Sequence, residues 1–196
     1  SREEAEKLYD NIYHLKQFLS GRTLWVGNTP VAEDYPMANY NCAFEVIDDY
    51  HAYHDLFYLL MVGSGVGVRV LKDDAEKLPK IRTNVKILHK AYDACPAQDR
   101  LEFTDLSFTK DSVTISVGDS KEEGAQALEH FFDILTNREY SKIQEMVIVY
   151  DSIRPRGKRL KNFGGTASGY GSMMTMLDKI HKVIKAAGAR DKAEYT

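Results

Sequence analysis

Cysteine is scarce in this sequence: Cys42 and Cys95 are the two in 196 residues, and they stand far apart. That spacing excludes a Cys-x-x-Cys metal site and a disulfide framework, and in a reducing compartment both are expected to be free thiols. No apolar run approaches the roughly 18–20 residues that span a bilayer. The first residues, Ser1-Arg2-Glu3-Glu4, are charged where a signal peptide is apolar, so a cytoplasmic location is expected. Charge of one sign is also lacking. With 26 Lys and Arg against 29 Asp and Glu, the net charge of -3 argues against a broad nucleic-acid footprint, which needs clustered basic residues. Any bound nucleotide is expected to be small. What is present, 43% hydrophobic and 28% charged residues without repeats or a low-complexity linker, suits one ordinary globular unit with a real core.

Periodicity then divides the chain. Leu8, Ile12, Leu15 and Leu19 predict an amphipathic helix over 3–19, with Gly21 just past its end. Residues 23–26 and 42–47 read as strands, 51–62 as an apolar helix stopped by Gly63, and 66–70 as a strand completing a strand-helix-strand unit. Between 73 and 111 the sequence is charged and broken by Pro79 and Pro96, and only 84–88 and 101–108 look strand-like. Residues 112–117 alternate as a strand, and Ser120-Lys121-Glu122-Glu123 supplies a capping box for a helix to about 135. The apolar run 146–150 suits a strand buried on both faces. Met173, Met176, Leu177, Ile180, Val183 and Ile184 form the stripe of a last helix, 172–187, ending at Gly188. Alternating strands and helices predict an α/β fold with parallel pairing.

Several residues have chemistry to offer. Cys42 follows Asn39-Tyr40-Asn41 and opens the 42–47 run; the plain reading is a buried strand cysteine acting as a small hydrophobe. Gly63-Ser64-Gly65-Val66-Gly67 permits close backbone approach to a ligand, though glycines also simply end helices. Gly164-Gly165-Thr166-Ala167-Ser168-Gly169 could cradle phosphate through backbone N–H groups or serve as a connector. It lacks the Gly-Lys-[Ser/Thr] ending of a P-loop, so nucleotide hydrolysis is not suggested. Arg154, Arg156, Lys158, Arg159 and Lys161 just before it could meet a triphosphate or merely be solvated. His51 and His54 are three apart on a predicted helix, but with no third ligand in view no metal site is expected.

Taken in order, Ser20-Gly21-Arg22-Thr23-Leu24-Trp25, Asn41-Cys42, Asp55-Leu56-Phe57-Tyr58-Leu59-Leu60, the glycine turn at 63–70, and Asp151-Ser152-Ile153-Arg154-Pro155 leading into the Gly164 loop form one pattern. It resembles the large catalytic chain of adenosylcobalamin-dependent (class II) ribonucleotide reductases of the ribonucleoside-triphosphate type. The resemblance spans nearly this whole chain but only the amino-terminal part of that family's. It implies about the first half of a ten-stranded α/β barrel, with residues 1–72 as first barrel elements and 73–196 as effector-region strands, loop and helices.

In that family a thiyl radical abstracts the ribose 3′-hydrogen, the 2′-hydroxyl departs as water, and two further thiols end as a disulfide. The resemblance makes Cys42 one of that reducing pair, puts Asn41 near the ribose and Ser64 and Gly65 near the nucleotide, and offers Thr29 on the same wall. It makes Gly164, Gly165, Thr166, Ala167 and Ser168 an effector loop, and leaves Cys95 structural or on the surface. The implied partners are a ribonucleoside triphosphate substrate, a deoxynucleoside triphosphate effector, a thioredoxin-type reductant and the carboxy-terminal half of the reductase, with no nucleic acid and no membrane. Adenosylcobalamin would be bound mainly by sequence not present here. The thiyl cysteine, the second reducing cysteine and the general acid/base glutamate also belong downstream, so the chain alone is expected to be inactive, whether as part of a longer chain or as one piece of a reductase encoded in parts. A class I large-subunit fragment and a non-catalytic nucleotide-binding regulatory module are the alternatives.

Overall fold

The segments with the firmest apolar patterning, 112–117, 121–136 and 145–150, build the main core of the computed structural model, which describes residues 1–160 and 165–190. Strands β3 (Lys86–His89), β4 (Asp105–Phe108), β5 (Ser112–Ser116) and β6 (Glu145–Val149) form one sheet in the order β3-β6-β5-β4. β6 runs parallel to both β3 and β5, and β4 closes the edge antiparallel to β5.

Central β6 does not have two dry faces. Met146 and Ile148, with Tyr150 just beyond, are fully buried, whereas Val147 and Val149 on the other face are only half-buried. An apolar run therefore concealed ordinary period-two alternation, because valine suits a half-covered sheet surface as well as a core.

Helix α6 (Lys121–Thr136) starts where Ser120 Oγ accepts the Glu123 N–H at 3.1 Å. The return half of the expected capping box is redirected, since the Glu123 carboxylate accepts the N–H of Thr104. Leu128, Phe131 and Leu135 of α6 enter the same core as Met173, Leu177 and Ile184 of helix α7 (Gly171–Arg190). The stripe of α7 is narrower than expected, as Val183 is exposed. Nor does the helix stop at Gly188: a Cβ there would lie 2.7 Å from the Thr83 side chain, so the glycine permits close packing within a continuing helix.

The amino-terminal part departs further from expectation. α1 (Arg2–Tyr13) ends before Leu15, which sits at φ 56°, and it buries no residue. The strand expected at 23–26 is instead helix α2 (Gly21–Val26), capped by Ser20 Oγ accepting the Thr23 N–H at 3.2 Å. β-branched Thr23 and Val26 suggested a strand, and the cap overrode them. α3 (Pro30–Asp34) follows, with proline in its first turn. β1 (Cys42–Val46), α4 (Ala52–Met61) and β2 (Gly65–Arg69) then make the expected parallel unit, and α5 (Lys72–Ala75) leads away from it. Among the described residues this second sheet has two strands, well short of half a ten-stranded barrel, because the later strands pair among themselves.

α4 packs on α6. Gly124 lets the Phe57 ring within 3.1 Å of where a Cβ would stand, and Tyr50 and Tyr53 stack on Phe132 at 4.9 and 5.0 Å between centroids. Near α7, His89 Nδ1 meets Tyr150 Oη at 2.8 Å, while His89 Nε2 and His181 Nε2 are buried without partners among the described residues.

Burial pushes both imidazoles below the ordinary histidine range; Asp178 opposes the shift at each, and Lys185 adds to it at His181. Protonation therefore favours the unfolded chain: the stability these groups contribute is complete above about pH 6.5 and declines as pH falls through the lowered folded values. The melting temperature should drop from about pH 7 to about pH 5, and less steeply in His181→Gln. Parallel pH profiles for the two proteins would remove this role from His181.

Candidate functional site

The parallel register of β1 and β2 places Cys42 opposite Gly65 at the start of both strands, with the Gly65 N–H donating to Asn41 O at 2.8 Å. Three of the expected site residues, Asn41, Cys42 and Gly65, thus converge and are exposed. Ser64 lies beside them but is only 4% exposed, its hydroxyl donating to Tyr40 O at 3.0 Å. Its hydroxyl is engaged in shaping the turn. Thr29 stands at the cap of α3 and gives its hydroxyl to Val26 O at 2.5 Å.

Arg22, one residue of the Ser20–Trp25 motif, organises this corner. Buried to 9% exposure, its guanidinium donates to Gly63 O at 2.5 Å, Val62 O at 3.4 Å and Asn41 Oδ1 at 3.5 Å, and lies 5.2 Å from the Trp25 ring centroid. No ion pair among the described residues involves it; the carbonyls at the carboxy-terminal end of α4 take the place of a carboxylate. Gly63 is at φ 86°, and a Cβ there would lie 3.1 Å from Arg22 Nη1. Glycine is needed at 63 for both conformation and space. Because Arg22 engages the amide oxygen of Asn41, the Asn41 NH₂ remains as a donor.

The second expected site is built differently. Gly164 lies outside the described residues, as do Lys161, Asn162 and Phe163. The remainder is one arm of a short hairpin: Arg159 pairs antiparallel with Thr166, Ala167 N–H donates to Lys158 O at 2.7 Å, and Leu160 N–H donates to Gly165 O at 3.0 Å. Gly165 and Gly169 both have positive φ. The N–H of Ala167 is therefore engaged within the hairpin, which corrects its reading as part of a phosphate cradle. Arg154 is likewise engaged: its Nε donates to Asp119 Oδ1 at 3.0 Å, and Arg100 meets the same carboxylate at 3.1 Å. Arg156, Lys158 and Arg159 remain exposed, beside Thr166 and Ser168.

Cys95 belongs to the four-stranded unit, its N–H donating to Asp151 O at 2.8 Å, and is not brought to Cys42 by any strand pairing. His51 and His54 do have a third potential ligand. Asp55 joins them, with ligand atoms of all three within 4.8 Å of one another, which corrects the expectation that none accompanies them.

Comparison with known proteins decides the family. The description "B12-dependent ribonucleotide reductase, insertion domain" matches residues 81–184, more than half of the chain, and "Ribonucleotide reductase alpha domain" matches residues 1–29. The chain belongs to the B12-dependent ribonucleotide reductases. The adenosylcobalamin-dependent ribonucleoside-triphosphate reductase of Lacticaseibacillus paracasei is 30% identical over 94% of this chain and 29% of its own length. The enzyme of the same name from Lactobacillus leichmannii is 26% identical over 95% of this chain and 29% of its own. A crystal structure of a B-12 dependent (class II) ribonucleotide reductase superposes with a TM-score of 0.77 at 24% identity, covering 94% of this chain and 29% of that one, so its α/β fold is shared. This B12-dependent reductase chain spans less than a third of the curated relatives it matches.

In this reductase segment, Gly63→Ala should cost about 1–2 kcal/mol for left-handed strain on a residue with a Cβ, plus the push on Arg22. Urea unfolding measures it; a cost within error of zero would show that the turn relaxes without Arg22.

Proposed function

We propose that this chain is the amino-terminal part of a class II ribonucleotide reductase that converts ribonucleotides, as triphosphates, to deoxyribonucleotides, with Cys42 as one of the two reducing thiols. The observation that carries the reading is an exposed thiol at the start of a parallel strand pair, next to an oriented amide and a glycine turn. Asn41 NH₂ donates to a ribose oxygen, Gly65 lets the sugar approach, and Ser64 and Arg22 hold the corner. Thr29 lines the same wall more distantly.

Two thiols supply two electrons and two protons. One hydrogen replaces the 2′-hydroxyl, the hydroxyl leaves as water with the other, and the sulfurs join as a disulfide. The second sulfur must approach to about 4.4–6.8 Å between Cα atoms, and it comes from sequence beyond this segment, since Cys95 sits in the other unit. A thioredoxin-type protein then reduces the disulfide.

An isolated two-stranded sheet is marginal, and β1 and β2 each have one edge unpaired among the described strands. Phe44, Val68 and Val70 are exposed there, as are Leu24 and Trp25 of α2. These surfaces fit coverage by the remaining barrel, with residues 1–72 contributing its first elements. The radical is supplied by adenosylcobalamin when that cofactor is bound. That cofactor would be held mainly by sequence outside this chain.

Residues 73–196 form the proposed effector region, where Gly164, Gly165, Thr166, Ala167 and Ser168, together with the exposed Arg156, Lys158 and Arg159, meet a deoxynucleoside triphosphate. Among the described residues no helix is long and apolar enough to cross a membrane, and we place the enzyme in the cytoplasm, with no nucleic-acid partner.

One observation favours a second reading: the four-stranded unit holds most of the core by itself and corresponds to an insertion domain, as a non-catalytic nucleotide-binding module would. Mixing the chain with the remaining reductase sequence, adenosylcobalamin, a dithiol and a ribonucleoside triphosphate separates the two. Deoxynucleotide should form, and Cys42→Ser should abolish steady-state turnover while leaving effector binding intact. Strong effector binding without any product favours the module, and unchanged turnover in Cys42→Ser removes Cys42 from the reducing pair.

A further inference from the structure

The packing of α4 on α6 gathers donor atoms that the reductase chemistry above does not use. His51 caps α4, and His54 and Asp55 lie in its first turn; His51 Nδ1 is 2.9 Å from Glu129 Oε1 on α6. Asp55 Oδ1 is 3.0 Å from His54 Nδ1 and 3.7 Å from His51 Nε2, and the two imidazoles stack at 4.9 Å. Two imidazoles and a carboxylate at the start of α4 are a ligand set for a borderline divalent cation, since imidazole suits zinc-like ions, and the Glu129 carboxylate on His51 Nδ1 is the outer partner that orients such a ligand.

We propose that His51, His54 and Asp55 form a binding site for zinc or a similar transition-metal dication, with Glu129 of α6 holding His51 through its Nδ1 and so clamping the β1-α4-β2 unit to the four-stranded unit. The backbones are already held, because Tyr50 and Tyr53, the neighbours of the two histidines, both stack on Phe132, one turn from Glu129 on α6. A tetrahedral zinc with bonds of about 2.0–2.1 Å requires the donor atoms of His51, His54 and Asp55, now within 4.8 Å of one another, to contract, with water completing the coordination. The side chains have the freedom to do so: His51 is 54% and Asp55 47% exposed, while His54 and Glu129 are partly buried. A cation at the start of α4 opposes the helix dipole, and the carboxylates of Asp55 and Glu129 offset it.

The test is calorimetric titration of the full 196-residue chain with Zn²⁺, in a Cys42→Ser, Cys95→Ser background that removes thiolate ligands. One equivalent should bind, His51→Ala and His54→Ala should each weaken binding about tenfold or more, and saturating Zn²⁺ should raise the melting temperature. Co²⁺ should give visible bands of histidine and carboxylate coordination. Asp55→Asn and Glu129→Gln, milder changes, guard against misfolding in the alanine variants and should each weaken binding. Absence of binding, or undiminished binding in the double histidine variant, overturns the site; binding without a rise in melting temperature overturns the clamp.

Discussion

Arg22 is the constraint on which the Cys42 corner depends. Burying a guanidinium without a counter-ion costs several kcal/mol, and here three oxygens offset it: two main-chain carbonyls ending α4 and the amide of Asn41. Those carbonyls carry the partial negative charge of a helix terminus, so a cation is welcome there. The same contacts require glycine at position 63, fix the turn that starts β2, and so set the register that puts Gly65 against Cys42. Geometry at the thiol therefore originates in α2, a helix too short to persist alone.

α4 connects this corner to the rest. One side supplies the carbonyls for Arg22, while the other lays Phe57, Tyr50 and Tyr53 against α6. Lys121 Nζ over the Tyr35 ring, 3.3 Å from its centroid, adds a second bridge between the units. A change in the seating of α4 on α6 is felt at Val62 and Gly63, which gives a physical route between the four-stranded unit and the neighbourhood of Cys42. Two discrete seatings would be needed for this to act as a switch.

Where the sequence pattern had one cause, it was legible. The β1-α4-β2 unit, β5 and α6 all follow from period, cap or motif. Misreadings arose where two causes compete for one residue type. Thr23 and Val26 favour a strand, but Ser20 closes a helical cap over them. Gly188 looks like a stop and is a packing glycine. Asp119, which gathers Arg100 and Arg154 into one cluster, had no local signal because its partners lie 19 and 35 positions away. The Ser64 hydroxyl faces inward to Tyr40 O, a direction no spacing rule specifies.

The distribution of core bears on why the site is incomplete. Tyr150, Phe131, Ile115, Met146 and Leu177 are fully buried in the four-stranded unit, whereas around α2 and α3 the buried set is small: Val26, Val31, Ala38 and Val62. Regions with little buried apolar area open at lower free energy than the core, so residues 1–72 are the weaker part of this chain. Phe44, Val68, Val70 and Trp25 are exposed in that weaker part, which also holds the exposed Cys42 thiol. Each square ångström of apolar surface covered contributes about 25 cal/mol. If Cys42 is one of a reducing pair as proposed, strands pairing with β1 and β2 would stabilise this corner as they bring a second sulfur toward it.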